Sequence, residues 1–264
     1  MNPRWPSRMA WLGALLGLAM AVLLFAPARW LAQAVTSATA GQVQLVNARG
    51  TVWHGQADLL LTGGEGSQTR ASLPQGVQWR LSPTWLGGRP AMALQLAAPC
   101  CTPQPLALTL KPHGGGAELS LAAARSRWPA HLLTGLGTPW NTLRMEGLLS
   151  LQTDGLSLRW AHGRGSLQGG LALEAQDLAS RLSTLRPLGS YRMDLRSDPD
   201  GRDTSLSLRT LNGRLQLQGQ GRWVGGRLRF SGVAEAAPES EAALANLLNI
   251  IGRRQGPRSL LNIG

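Results

Sequence analysis

The sequence predicts a mainly β protein, in which an N-terminal transmembrane helix precedes an antiparallel β-sheet domain with a short middle helix and a C-terminal helix packed on the sheet. Three observations predict this fold. An uncharged apolar stretch runs from Met9 to Phe25, short runs beyond it alternate apolar and polar residues, and turn-forming residues separate most of those runs. Alternation with a period of two places apolar side chains on one face of a strand and polar ones on the other.

The apolar stretch sets the compartment of everything that follows. Its about 17 residues, more if 26–34 extend it, are closer to the roughly 20 of a spanning helix than to the roughly 7–15 of a signal-peptide core. We therefore predict a retained anchor over 9–32. Cleavage is the alternative, since small-x-small triplets occur at 26–28, 32–34 and 38–40.

The charges around this stretch predict its orientation. Arg4 and Arg8 precede it, and Arg29 follows it. Because cytoplasmic flanks carry an excess of basic residues, we expect residues 1–8 to form a cytoplasmic stub. In a Gram-negative cell, residues 33–264 would then form a periplasmic β-rich domain at the inner membrane.

The net charge of +12 favours acidic counterions. A basic chain of this kind suggests nucleic acid, but the arginines are spread singly along the predicted strands and the anchor places them outside the cytoplasm. We therefore predict no nucleic-acid partner. The favoured interpretation is a solvated basic surface; where the charge meets a partner, acidic proteins or the anionic headgroups of inner-membrane lipid are the expected counterions.

The alternating runs predict the strands of an antiparallel meander, whose leucine-rich face must be covered. Asn212-Gly213 suits a type I′ hairpin. Glycine clusters at 163–170 and 219–226 are interpreted as further turns. The runs lie at 43–46, 77–81, 92–96, 106–110, 119–121, 156–160, 206–209, 215–218 and 228–230.

Two segments break the alternation and predict helices. A proline suits the first helical position of a short helix within 128–137. A second helix is expected at about 239–252, with acidic residues at its start and arginines after its end. A helix lying on a membrane would need a basic polar face, so packing on the sheet is favoured. The apolar residues of this helix share one face: Leu244, Leu247, Leu248 and Ile251.

No catalytic, metal or cofactor motif stands out. The chain has no HExxH, GxSxG, Walker A or GxGxxG pattern, and we predict no enzymatic activity and no cofactor. The four histidines, none in a ligand-like spacing, are far apart in the sequence: His54, His113, His131 and His162.

The two cysteines are adjacent and flanked by prolines. Outside the cytoplasm Cys100 and Cys101 can oxidise, and no third cysteine is present. A vicinal disulfide, an intermolecular bridge and two free thiols are the open choices. Adjacent residues sit near the short end of the usual Cα separation for a disulfide, so a vicinal bond implies a distorted turn. We interpret the pair as local loop rigidity in preference to a redox role.

Several short segments follow one another along the chain at 50–57 (GTVWHGQA), 139–143 (PWNTL), 182–185, 187–192, 219–223 (GQGRW), 225–232 and 247–254. Their order resembles the type II secretion system protein N family (general secretion pathway protein N), and the resemblance covers nearly the whole chain. It implies an inner-membrane, non-enzymatic component of the apparatus that exports folded proteins across the outer membrane. It also implies a link to AsmA-like proteins, whose repeated β-units form curved, groove-bearing sheets.

The motif residues also have a physical interpretation. Trp53 and Trp223 alternate with polar neighbours and are predicted to fill the buried face of the sheet, with partner binding as the alternative. Gly55, Gly219 and Gly221 suit bulges or places where backbones approach closely.

Three hypotheses for function follow. The first is a scaffold that contacts other type II secretion subunits of the inner membrane or the outer-membrane secretin. The second is an AsmA-like envelope protein that binds lipid or another hydrophobic ligand on a curved β-sheet. The third, an envelope hydrolase, needs convergent carboxylates or a Ser/His pair that the sequence does not indicate. Whether the C-terminal helix fills the apolar face or leaves an open groove discriminates the first two.

Overall fold

The computed structural model describes residues 5–64, 69–113, 115–161, 164–198, 201, 203–224 and 227–264. Within these ranges all strands belong to one antiparallel sheet of sixteen strands, so the mainly β prediction is confirmed. The α-helices are α1 (Trp5–Leu24), α2 (Ala28–Ala38), α3 (Trp140–Leu143) and α4 (Glu241–Ile251), with 3-10 helices at Ala130–Leu136 and Pro238–Ser240. The strands are β1 (Val43–Gly50), β2 (His54–Thr62), β3 (Arg70–Ser72), β4 (Val77–Leu86), β5 (Arg89–Ala97), β6 (Leu106–His113), β7 (Gly116–Leu121), β8 (Ala124–Pro129), β9 (Met145–Ala161), β10 (Arg164–Ser180), β11 (Gly189–Ser197), β12 (Thr204–Gly213), β13 (Leu215–Val224), β14 (Arg227–Ala236), β15 (Arg253–Gln255) and β16 (Arg258–Ile263).

The sheet is a meander in which strands lie almost in chain order. Its order is β1-β2-β4-β5-β6-β7-β9-β10-β11-β12-β13-β14-β16-β15. Two strands lie off this path. They are β3, which pairs with β2, and β8, which pairs with β9. Register shifts interrupt the ladders of β1–β2, β9–β10, β10–β11 and β11–β12. Such bulges bend a sheet, and the curved sheet that the AsmA-like resemblance implies stays a prediction.

All the alternating runs fall inside strands, but other strands were missed. The confirmed runs lie in β1, β4, β5, β6, β7, β9, β12, β13 and β14. The missed strands include β2, whose Leu59, Leu60 and Leu61 do not alternate, and the glycine-rich β10. Interpreting the described parts of the glycine clusters as turns was therefore wrong, because Gly165–Gly170 belong to β10 and Gly219 belongs to β13. Residues 162, 163, 225 and 226 of the chain lie outside the described residues.

The predicted type I′ hairpin at Asn212-Gly213 is wrong. These residues end β12 and pair with Ser190 and Gly189 of β11. Only Gly213 of the two has a positive φ, 128°, whereas a type I′ turn needs it at both positions. A Cβ at Gly213 would lie 2.2 Å from the Gly189 Cα, so the contact between two strands, rather than a tight turn, requires this glycine.

Both predicted helices of the β domain are present. The middle one is the 3-10 helix Ala130–Leu136, which begins after Pro129 has ended β8. The C-terminal one is α4, preceded by the turn Pro238–Ser240. Leu244, Leu247 and Leu248 are at most 2% exposed, so the packing of this helix on the sheet is confirmed.

The N-terminal helix α1 is apolar around its circumference. Its large apolar side chains from Met9 onward, with Phe25, are between 45% and 74% exposed. Among the residues that the structure describes, no helix is both long enough and apolar enough to cross a bilayer. The anchor over 9–32 stays a prediction, as do the stub and the periplasmic placement of the sheet.

Candidate functional site

The register of the sheet arranges apolar residues in rows on one face. Paired residues share a face, and three successive rows cross β4, β5, β6, β7, β9 and β10. We call these rows the open apolar face. Its rows are Leu81-Leu94-Leu108-Leu121-Leu156, Pro83-Met92-Leu110-Leu119-Leu158-Leu167, and Trp85-Pro90 followed by Pro112-Ala117-Trp160.

Three elements cover other parts of the same sheet. Near β1, α2 places Ala28 against Ala57 and Trp79. The 3-10 helix of residues 130–136 places Leu132 against Val77, in a cluster that extends to Cys101. At the far end, α4 closes a third cluster with β13 and β14. Its buried members are Ala130, Leu143, Met145, Leu149, Ala175, Leu178, Leu188, Tyr191, Leu215, Ala234, Ala236, Leu244, Leu247 and Leu248.

Most of the open apolar face has no such cover, and only Leu81 and Leu94 at its edge pack against the cluster of Ala28, Ala57 and Trp79. Each residue of its three rows is either half-buried or exposed, and none is fully buried. Leu110, for example, is 44% exposed. The middle row crosses six strands, which at about 4.8 Å per strand is roughly 24 Å. At one end, a cleft of about 400 Å³ lies among Pro83, Trp85, Met92 and Leu110. C-terminal helix α4 therefore fills one end of the apolar surface and leaves this part open.

The opposite face of the same strands is polar and paired. Glu118 of β7 accepts hydrogen bonds from Arg159 Nε and Nη2 at 3.3 and 3.1 Å, beside Lys111. Burial acts to raise the pKa of Glu118, but the hydrogen bond and charge of Arg159, with the charge of Lys111 and a hydrogen bond from Ser120, outweigh it. The pKa of Glu118 therefore lies below its ordinary value, which favours the charged carboxylate.

The cysteine loop lies beside the second cluster. Cys101 is 4% exposed and packs with that cluster, its N–H donates to the Ala98 carbonyl, and its carbonyl accepts from the Arg127 N–H at 2.7 Å. The Sγ atoms of Cys100 and Cys101 lie 2.12 Å apart as a vicinal disulfide. Whether this bond forms in the cell stays a prediction. The loop borders a polar cavity of about 730 Å³, which reaches Arg125 on β8.

The predicted roles of the two motif tryptophans differ. Trp53 is half-buried and donates from Nε1 to the Leu23 carbonyl at 2.7 Å. Trp223 is 42% exposed near the end of β13, so the prediction that it fills the buried face is wrong. Trp79, by contrast, is buried, at 3% exposed. Gly55 and Gly219 are confirmed as close approaches, because an added Cβ would lie 2.5 Å from the Trp79 ring and 2.4 Å from the Phe230 ring, respectively.

Ionisable groups do not converge on a metal site. Within the described residues, no three side chains of His, Cys, Asp or Glu come together. His54, His113 and His131 lie on separate elements, and His162 lies outside the described residues. Tyr191 is buried and donates from its hydroxyl to the Leu215 carbonyl at 3.0 Å. Burial raises the pKa of Tyr191, and its hydrogen bond ties β11 to β13.

One exposed feature was missed by the sequence analysis. The β4–β5 hairpin ends in Gly87-Gly88, a two-residue turn between runs that alternate. That signal, Gly-Gly between alternating residues, predicts a tight hairpin and marks Trp85 as a tip residue, 74% exposed.

Comparison with known proteins identifies a family for this arrangement. A family model described as type II secretion system (T2SS), protein N, matches residues 41–260. The match covers the sheet from before β1 to within β16. No curated protein and no solved structure matches the chain.

Proposed function

We infer that this chain, which belongs to the type II secretion system protein N family, is a non-enzymatic inner-membrane component of the type II secretion system. The observation that carries the proposal is the family match over residues 41–260. In this role the protein assists export of folded proteins across the outer membrane through protein–protein contacts in the periplasm. Other inner-membrane subunits and the outer-membrane secretin are the proposed partners.

The proposal includes α1 as the membrane anchor, with the sheet on the periplasmic side. Its support is the apolar circumference of α1, since a helix that is apolar all round is normally buried in a protein core or a bilayer. Ala28 of α2 packs on the sheet and Ala32 is buried, so we shorten the proposed membrane segment from the predicted 9–32 to one that ends near Phe25. Retention of the full chain in the membrane fraction after alkaline washing tests this part.

Secretion and cross-linking in cells test the role itself. We expect deletion of the gene to reduce secretion of a type II substrate. A photo-crosslinking amino acid is placed at Leu110, on the open apolar face, and at Thr109, on the opposite face of the same strand. Capture of a secretion subunit from either position supports the role and assigns the contact face. Intact secretion after deletion, with no secretion subunit captured from either face, contradicts it.

A second candidate function rests on the uncovered part of the sheet. The open apolar face is long enough for a hydrocarbon chain, because one leaflet of a bilayer core is about 15 Å thick and the middle row spans roughly 24 Å. The candidate is therefore an AsmA-like envelope protein that binds lipid or another hydrophobic ligand on its sheet. Partly exposed leucines in continuous rows support it.

Mass spectrometry of the purified full chain tests the second candidate. We expect lipid to co-purify with the wild type and with Thr109→Arg, but to be lost from Leu110→Arg. Leu110 is 44% exposed, so an arginine there keeps its charge solvated and the sheet stays folded. Equal lipid content in the two variants, or none in the wild type, contradicts lipid binding on this face.

A further inference from the structure

The β4–β5 hairpin projects past β2 on one side, while on the other side Arg89 and Pro90 lie beside Pro112 and His113 of the β6–β7 hairpin. β2 pairs with β4 only as far as His54 and Arg80, and the Leu81 N–H then donates to the Trp53 carbonyl at 2.7 Å. β4 and β5 continue to pair up to Leu86 and Arg89. Five further residues of β4 extend the hairpin by about 17 Å, at about 3.4 Å per residue.

Helix α1 leaves the sheet at the same end. Pro27 pairs antiparallel with Thr51, just after β1, and the Val52 N–H donates to the Ala26 carbonyl at 2.8 Å. The chain before Pro27 therefore arrives from beyond the end of β1. β1 and β4 both pair antiparallel with β2 and so run in the same direction. The projecting tip of β4 thus points towards the end from which α1 arrives.

The joint between α1 and the sheet is held by hydrogen bonds. Trp53 donates from Nε1 to the Leu23 carbonyl at 2.7 Å, and Trp79 donates from Nε1 to the Val52 carbonyl at 3.0 Å. The first bond connects the last turn of α1 to the turn that joins β1 and β2, and the second connects that turn to β4. The hairpin is therefore held at a fixed place relative to the end of α1.

The tip carries residue types that favour a membrane surface. Trp85 is 74% exposed, Leu86 is 41% exposed, and Arg89 is exposed. Indole rings favour the interface of a bilayer, and arginines are attracted to anionic headgroups. Trp85 is also on the same face as Pro83 and the other residues of the open apolar face. The exposed tip thus combines an aromatic, an aliphatic and a basic side chain.

We propose that the tip of the β4–β5 hairpin, residues 83–90, enters the headgroup layer of the bilayer that holds α1, and that anionic phospholipid is its ligand. The proposal rests on the anchor assigned to α1 above. It gives the sheet a second contact with the membrane and places the end of the open apolar face at the lipid surface.

A probe at the tip of the full chain tests this contact. Trp85→Cys and Trp140→Cys are each made with Cys100→Ser and Cys101→Ser, and the single thiol carries the fluorophore NBD. Trp140 is a matched control because it is also exposed, at 37%, but lies at the other end of the sheet. It belongs to α3, which follows the end of β8, and β8 runs in the direction opposite to β4. The proteins are reconstituted in vesicles of phosphatidylethanolamine and phosphatidylglycerol, with a fraction of lipid carrying a nitroxide near the headgroup.

We expect the nitroxide lipid to quench NBD at position 85, with a blue-shifted emission, and to leave NBD at position 140 unquenched. Removing phosphatidylglycerol should reduce the quenching at position 85. Equal quenching at the two positions, or none at position 85 in protein that withstands alkaline washing, overturns the tip contact and leaves the anchor standing. Release of the protein by alkaline washing overturns both.

Discussion

Replacing Leu248 with alanine tests whether α4 is held on the sheet by its leucine face. Leu248 and Leu244 are 0% exposed and pack in one cluster with Leu215 and Ala234. Removal of a fully buried leucine side chain costs about 2–5 kcal/mol, because the lost transfer free energy adds to the cavity left behind. We expect the free energy of unfolding to fall by about 3 kcal/mol, which is a change of about 150-fold in the unfolding equilibrium.

The matched control is Ile250→Ala in the same helix. Ile250 is 39% exposed, so water fills the space that its side chain leaves and no cavity forms. We expect a loss of about 1 kcal/mol from the part of the side chain that is buried. Urea unfolding of the full chain in detergent micelles, followed by far-UV circular dichroism, measures both variants.

Two results would refute the reasoning. One is a loss of less than about 0.5 kcal/mol for Leu248→Ala, the range of an ordinary surface substitution. The other is an equal loss in the two variants. Either result would mean that α4 does not pack its leucines on β13 and β14, and that the apolar surface near these strands is open as well.

Three further predictions concern single features of the sheet. Gly219→Ala should lower the melting temperature, because a Cβ there meets the Phe230 ring at 2.4 Å, whereas Gly165→Ala, with its nearest neighbour at 3.6 Å, should leave it nearly unchanged. The interactions that lower the pKa of Glu118 stabilise the fold at pH values above its ordinary pKa of 4.5. This stabilisation is lost as the pH falls through the lower pKa that Glu118 has in the folded protein. Glu118→Gln should therefore flatten that part of the curve of stability against pH, and an unchanged curve contradicts the pairing. Alanine at both positions of Cys100–Cys101 should leave secretion intact if the pair only stiffens its loop, while lost secretion at an unchanged melting temperature would indicate a redox role.

The strands were predictable where local pattern and tertiary position agree. In β5 and β6, alternate leucines face the sheet's apolar side, so a period of two is visible in the sequence. In β2 the side chains of Leu59, Leu60 and Leu61 follow one another without alternation, and no local pattern marks the strand. A glycine in the middle of a strand has the same local signal as a turn, which is why β10 was missed.

Contacts between distant segments decide the features that the sequence does not show. Asn212-Gly213 has the residues of a hairpin turn, but the close approach of Gly189 makes it part of a ladder. The leucine spacing of α4 predicts that this helix packs on the sheet, yet not on which strands it lies. The open apolar face follows only from the register of six strands and the position of α4. For that reason the sequence left the choice between a filled and an open surface undecided.

The chain order of the sheet has a consequence for how the protein folds. Nearly every strand pairs with the strand made just before it, so most backbone pairing closes short loops, which favours rapid folding. A chain that emerges N-terminus first can therefore add one strand at a time to a growing edge. The strand at the C-terminal edge of the sheet is β15, which pairs with β16 and is three residues long and exposed, with Arg253 and Arg254. A short, charged edge discourages pairing with another chain, so this end of the sheet resists edge-to-edge aggregation.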